Sequence, residues 1–185
     1  METQFVFLTA NLSGTAPKRQ VLNGREYLIA SATIFPPGGG VMNGSKGPLF
    51  YPREVCAAKI GAWNNYPLTG KHPVSNDGKH ISASTAGAMD RQGIGFITND
   101  RMDGDNRRVD CWFDIDATRN YDSRNGTSIL QGVLNGRLQE VSTGLVTQDQ
   151  PAANGAEFNG KVYSFTVTNW TPDHLAVLPD QRGAC

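Results

Sequence analysis

Apolar positions recur along the chain with a period of two over short stretches, each closed by glycine- or asparagine-containing turns. The clearest case is Val109 to Asp116. There Val109, Cys111, Phe113 and Ile115 fall on one face and Asp110, Trp112, Asp114 and Asp116 on the other, which predicts a half-buried strand. Glu26 to Phe35, Gly93 to Thr98, Glu140 to Thr147, Lys161 to Asn169 and His174 to Leu178 read as further strands. Asp103-Gly104-Asp105-Asn106 predicts a hairpin between the Gly93 and Val109 runs. Six Asn-Gly pairs, beginning at Asn23, Asn43, Asn125, Asn135, Asn154 and Asn159, predict frequent reversals, above all hairpin corners with positive φ. Helical spacing occurs in two places. Pro52 to Ile60 opens with a proline suited to a first turn, and Thr127 to Leu134 ends at Asn135-Gly136. The expected fold is therefore α+β and β-dominated, a bent antiparallel sheet or barrel with a few short helices, in one domain over residues 1–185. Pro36 to Gly40 reads as a loop within that domain.

Charge and cysteine content narrow the functional classes. Lys plus Arg is 17 and Asp plus Glu is 17, so a nucleic-acid partner held by a broad basic surface is not expected. Nor is polybasic attachment to a membrane, and no apolar run approaches the roughly 18 residues of a spanning helix. The amino-terminal METQFVFLTANLSG does not read as a signal peptide. Cys56, Cys111 and Cys185 have no metal-type spacing and suit a reducing compartment. Cys111 lies on the apolar face of its strand and reads as core, and Cys56 has no histidine near it in sequence. Trp63, Trp112 and Trp170 read as packing, and the acidic face of Asp110, Asp114 and Asp116 as solvated. No metal and no cofactor is expected.

The candidate chemistry rests on few residues. Of the three histidines, His80 sits in a polar loop and reads as solvated, His72 follows the strand-like Tyr66 to Thr69, and His174 opens a β-rich run. Ser142 shares a strand face with Gly144, and that glycine is expected to leave backbone space for a substrate beside the hydroxyl. A serine hydroxyl becomes a nucleophile at neutral pH only with a base beside it, and histidine is the usual base. A second histidine can orient the first. The chain holds no Gly-x-Ser-x-Gly elbow, Walker loop or His-Glu-x-x-His motif. Gly93-Ile94-Gly95 reads as a bulge or tight packing.

The order of landmarks resembles the phage prohead (head maturation) proteases, relatives of the herpesvirus assemblin serine proteases. The residues carrying it are Leu22 to Leu28, Met42-Asn43-Gly44, Ala62-Trp63-Asn64, His72-Pro73, Asp90 to Gly95, Glu140 to Leu145, Pro172 to Pro179 and Arg182 to Cys185. The resemblance implies Ser142 as nucleophile, His72 as general base and His174 as third member, with Asp173 the alternative. Asp173 and His174 are neighbours, and a regular strand cannot turn both toward one site. Arg182, with Gly183, is implied as oxyanion support, through a backbone N–H or a bound water.

The implied activity is a serine endopeptidase acting in the host cytoplasm inside an assembling procapsid. It would cleave scaffold protein, major capsid protein extensions or itself, with a homodimer as a further implication. Family members often continue into a scaffold-like region, which this chain would lack through truncation or processing near Cys185. Two rivals are a non-catalytic capsid-assembly protein that keeps the fold, and a metal-dependent hydrolase using His72, His174 and Asp173.

Overall fold

Turn chemistry and alternation place most of the elements in the computed structural model, which describes residues 10–11, 16–44, 47–137 and 140–179. The strands and helices run in the order β1 (Ala10–Asn11), β2 (Lys18–Leu22), β3 (Arg25–Thr33), β4 (Gly40–Gly44), β5 (Gly47–Tyr51), α1 (Arg53–Ala57) and β6 (Pro67–Gly70). There follow α2 (Ala88–Gln92), β7 (Gly93–Asp103), β8 (Asn106–Asp114), α3 (Ile115–Asn125) and α4 (Ile129–Leu134). The chain then forms β9 (Glu140–Pro151), β10 (Glu157–Phe158), β11 (Lys161–Val162) and β12 (Phe165–Leu178). The protein is α+β and β-dominated, as expected. Its main sheet has the order β1-β9-β12-β6-β7-β8-β3-β2, with β5 also on β12. β12 pairs in parallel with both β5 and β6, and the sheet is not closed. It is thus mixed and open, where a bent antiparallel sheet or a barrel was expected.

The predicted alternation holds best in β8, where Val109, Cys111 and Phe113 are all fully buried. Ile115 and Asp116 depart from it, because Asp114 ends the strand and caps α3, its carboxylate accepting the Ala117 N–H at 2.9 Å. α3 itself went unpredicted: the two-residue period runs unbroken into its first residues and masks the cap. α1 is shorter than the expected Pro52 to Ile60. Lys59 takes a left-handed conformation, and the carbonyls of Cys56, Ala58 and Lys59 turn to the buried Arg107 guanidinium.

Arg107 shares the core face of β8 and completes its bonding with a bidentate pair to Asp100, at 2.8 and 2.7 Å. Its guanidinium lies over the Trp170 ring, 4.8 Å from the centroid, and Trp170 packs against Trp63 and Phe35. Trp63 and Trp170 are therefore packing residues, while Trp112 stacks on Phe96. The acidic face is partly paired: Asp110 accepts from Ser31, Asn99 and Arg101, and Arg25 reaches Asp114.

Only some Asn-Gly pairs are hairpin corners. Asn23-Gly24 and Asn159-Gly160 turn β2 into β3 and β10 into β11 with both residues at positive φ. Gly126 and Gly136 instead follow the ends of α3 and α4. Gly93-Ile94-Gly95 does hold a bulge, where the β6–β7 register slips.

Candidate active site

Three adjacent strands, β9, β12 and β6, fix the site's register. Ser142 on β9 stands opposite Ala176 on β12, and Ala176 stands beside Thr69 on β6. His174 pairs with Gly144, two residues along β9 from Ser142 and on the same face. β6 ends at Gly70, where a Cβ would meet the Tyr121 ring at 2.3 Å, so only glycine lets the strand run this close to α3. Lys71 then takes a left-handed turn, φ 61°, and gives its N–H to the Val177 carbonyl at 2.9 Å. That turn delivers His72 to the sheet face, and the Gln92 side chain holds its carbonyl at 3.1 Å.

The side chains so placed form one line. Ser142 Oγ lies 2.8 Å from His72 Nε2, His72 Nδ1 lies 2.7 Å from His174 Nε2, and His174 Nδ1 lies 2.6 Å from Asp173 Oδ2. His174 and Ser142 are fully buried and His72 nearly so.

Both candidates for the third position are present, in series. The β9–β12 register slips between Pro172 and His174, which leaves Asp173 as the extra residue of a bulge. The bulge removes the premise of a regular strand, so neighbouring side chains reach the same line. Pro172, with no N–H to give a ladder, sits beside the irregularity. Gly144 also has a different role from the expected one. A Cβ there would lie 2.2–2.7 Å from three atoms of the His174 ring, so the space left by the missing side chain holds that imidazole and not a substrate.

Proton positions follow from the acidic end. Burial works to raise the Asp173 carboxyl, but hydrogen bonds from His174, Ser82 and the Ala83 N–H outweigh it and hold the group below its ordinary value. An ionised carboxylate only accepts, so His174 presents an N–H at Nδ1; with that ring neutral, its Nε2 accepts. His72 must then donate from Nδ1, which leaves Nε2 bare to accept the Ser142 hydroxyl. Burial, helped by His174 and His80, pushes the His72 ring down to about 2, so it stands neutral as this ordering requires.

His80 is exposed, as expected, yet its ring stands edge-on to His72 with centroids 5.7 Å apart. Burial first, then His174, lowers it as well. Arg182 and Gly183 lie outside the described residues, and so does Cys185. Cys56 and Cys111 are buried, and burial pushes the Cys56 thiol up to about 12, far from a reactive thiolate. Among the described residues no group of three or more His, Cys, Asp or Glu side chains is placed to hold a metal ion.

Sequence reasoning missed Ser82 and Ala83, which bond to Asp173 across 91 and 90 residues of chain. No local pattern marks them, because a Ser-Ala-Ser turn in a polar loop reads the same wherever it docks. No family model, curated protein or solved structure matches the chain.

Proposed function

We propose that the protein is a serine hydrolase of the endopeptidase type, with Ser142 as nucleophile and His72 as its base. The observation that carries this reading is the unbroken hydrogen-bonded line from Asp173 through His174 and His72 to the Ser142 hydroxyl. Attack of Ser142 Oγ on a carbonyl carbon sends the hydroxyl proton to His72 Nε2. The resulting imidazolium keeps its Nδ1–H on His174 Nε2, and His174 in turn leans on the Asp173 carboxylate. His72 then hands the proton to the leaving amine, and water, deprotonated by the same ring, releases the acyl group. His174 and Asp173 act as positioning residues: neither touches the reacting atoms.

The substrate class comes from the resemblance to the phage prohead proteases. It points to scaffold and major capsid proteins inside an assembling procapsid, and to self-cleavage and a homodimer as further features of that reading. Arg182 and Gly183 are the proposed oxyanion support.

The test incubates the protein with its own scaffold and capsid proteins, comparing wild type with Ser142→Ala and His72→Ala. Fragments made by wild type alone support the reading; identical patterns in all three overturn it.

One observation favours the non-catalytic rival. Ser142 has no exposed surface in this conformation, so a substrate carbonyl reaches it only after the site opens. Labelling of Ser142 by a fluorophosphonate separates the two, since a permanently closed structural module would leave that hydroxyl unmodified.

A further inference from the structure

We propose that Ser82 is a positioning residue of this site, acting with the Ala83 N–H as a clamp that fixes the Asp173 carboxylate at the far end of the line. The inference rests on reading Ser142 and His72 as the reacting pair, but its geometry stands apart from them. The chain leaves the sheet at His72, forms a polar loop pinned by a Val74–His80 bridge, and returns at Ser82 to Ala83. There the Ser82 hydroxyl donates to Asp173 Oδ1, and the Ala83 N–H donates to Oδ2 at 2.9 Å.

The Ser82 proton has one direction open to it. Its oxygen already accepts the Ser84 N–H at 3.1 Å and lies 2.8 Å from Ser84 Oγ. Asp173, being a carboxylate, can only accept, so Ser82 gives it the hydroxyl proton and takes the Ser84 hydroxyl proton in return. Among the described residues Asp173 thus receives three donors: Ser82, Ala83 and His174 Nδ1–H. Two of them come from the loop that also carries His72. One segment therefore supplies the base and grips the anion that orients it, and a shift of the loop disturbs both ends of the line together. A bulged aspartate held only by its own strand would be free to swing toward solvent. Among the described residues, the titratable groups near this carboxylate include His174 on its own strand and, beyond it, His72 and His80 on the loop, while Tyr66 lines the same pocket as Asp173.

The test is proton NMR of the buried imidazole N–H signals as pH is lowered, in wild type, Ser82→Ala, Ser82→Thr and Ser82→Cys. The His174 N–H signal disappears when Asp173 takes a proton. Losing one hydrogen bond to a charged group should move that midpoint up by about one pH unit in Ser82→Ala. Ser82→Cys, a weak donor of similar shape, moves it the same way, and Ser82→Thr restores it. In parallel, fluorophosphonate labelling of Ser142 near neutral pH slows about tenfold in Ser82→Ala and recovers in Ser82→Thr. An unchanged midpoint in both Ser82→Ala and Ser82→Cys overturns the clamp, as does the lack of any buried imidazole N–H signal in the wild type. A shifted midpoint with wild-type Ser142 left unlabelled upholds the clamp and overturns the hydrolase reading instead.

Discussion

Acid should destabilise this protein through His72 well before its carboxylates titrate. In the unfolded chain the ring takes up a proton near its ordinary value of 6.5, whereas in the fold burial, His174 and His80 push it down to about 2. The depressed value fixes the sign. The contribution is fully present above 6.5, and it is lost progressively as pH falls from there toward the folded value, because only the unfolded state gains the proton. Each unit below 6.5 removes about 1.4 kcal/mol, so lowering the pH from about 7.5 to about 5 should remove about 2 kcal/mol. That size depends only on the folded ring staying neutral at the lower pH, not on how low its midpoint lies.

Urea unfolding followed by the fluorescence of the buried Trp63 and Trp170 measures the effect. His72→Gln is the comparison, since an amide of similar reach does not titrate. Wild type should lose about 2 kcal/mol more than His72→Gln across that interval. Equal losses in the two proteins would mean that the folded His72 accepts a proton freely. The bare Nε2 that makes it a base in the ordering above would then not be maintained by burial.

Three further outcomes are expected. Gly144→Ala drives a methyl into the His174 ring, so fluorophosphonate labelling of Ser142 should slow about a hundredfold while the circular dichroism of the fold persists, with a stability loss of about 1–3 kcal/mol. Arg107→Met leaves Asp100 and three backbone carbonyls without their buried donor, and urea unfolding should show a loss of about 3–5 kcal/mol, partly regained on adding Asp100→Leu. His174→Ala should slow cleavage of a capsid-derived substrate more than Asp173→Ala does, by about tenfold or more, because His174 touches His72, the proposed base, and Asp173 acts through it.

Several strands were legible because one face is buried and the other wet, and alternation records that difference directly. Val109, Cys111 and Phe113 mark β8 this way, and Ser142 and His174 were placed on strands from the same signal. The signal failed where one period runs into another. Ile115 and Asp116 extend the alternation of β8 by two residues, and nothing in the sequence outranks it until Asp114 is seen accepting the Ala117 N–H. Arg107 was hidden for a different reason. It occupies a core position of β8 by alternation, but a charged residue there is intelligible only once Asp100 and the carbonyls of Cys56, Ala58 and Lys59 stand around it. Likewise Ser82 meets Asp173 only in space.

The choice between His174 and Asp173 shows what local rules omit. Strand geometry offers one inward side chain for every two residues, and on that rule one of the pair had to face away. The inserted residue between Pro172 and His174 changes the count, and Gly144 on the facing strand supplies the volume that the His174 ring then needs. Neither feature is useful alone. A bulge opposite an alanine would thrust the imidazole against a methyl, and a glycine opposite a regular strand would leave a gap. Their joint presence puts His174 and Asp173 in series behind His72. It also makes the two sides of the bulge separable: changes at Gly144 act on the ring, while changes at Ser82 act on the carboxylate behind it. If the line operates as a unit, Gly144→Ala combined with Ser82→Ala should slow Ser142 labelling little more than Gly144→Ala alone, since the ring through which the clamp acts is already displaced. Fully additive losses would show the two devices acting on Ser142 by separate routes.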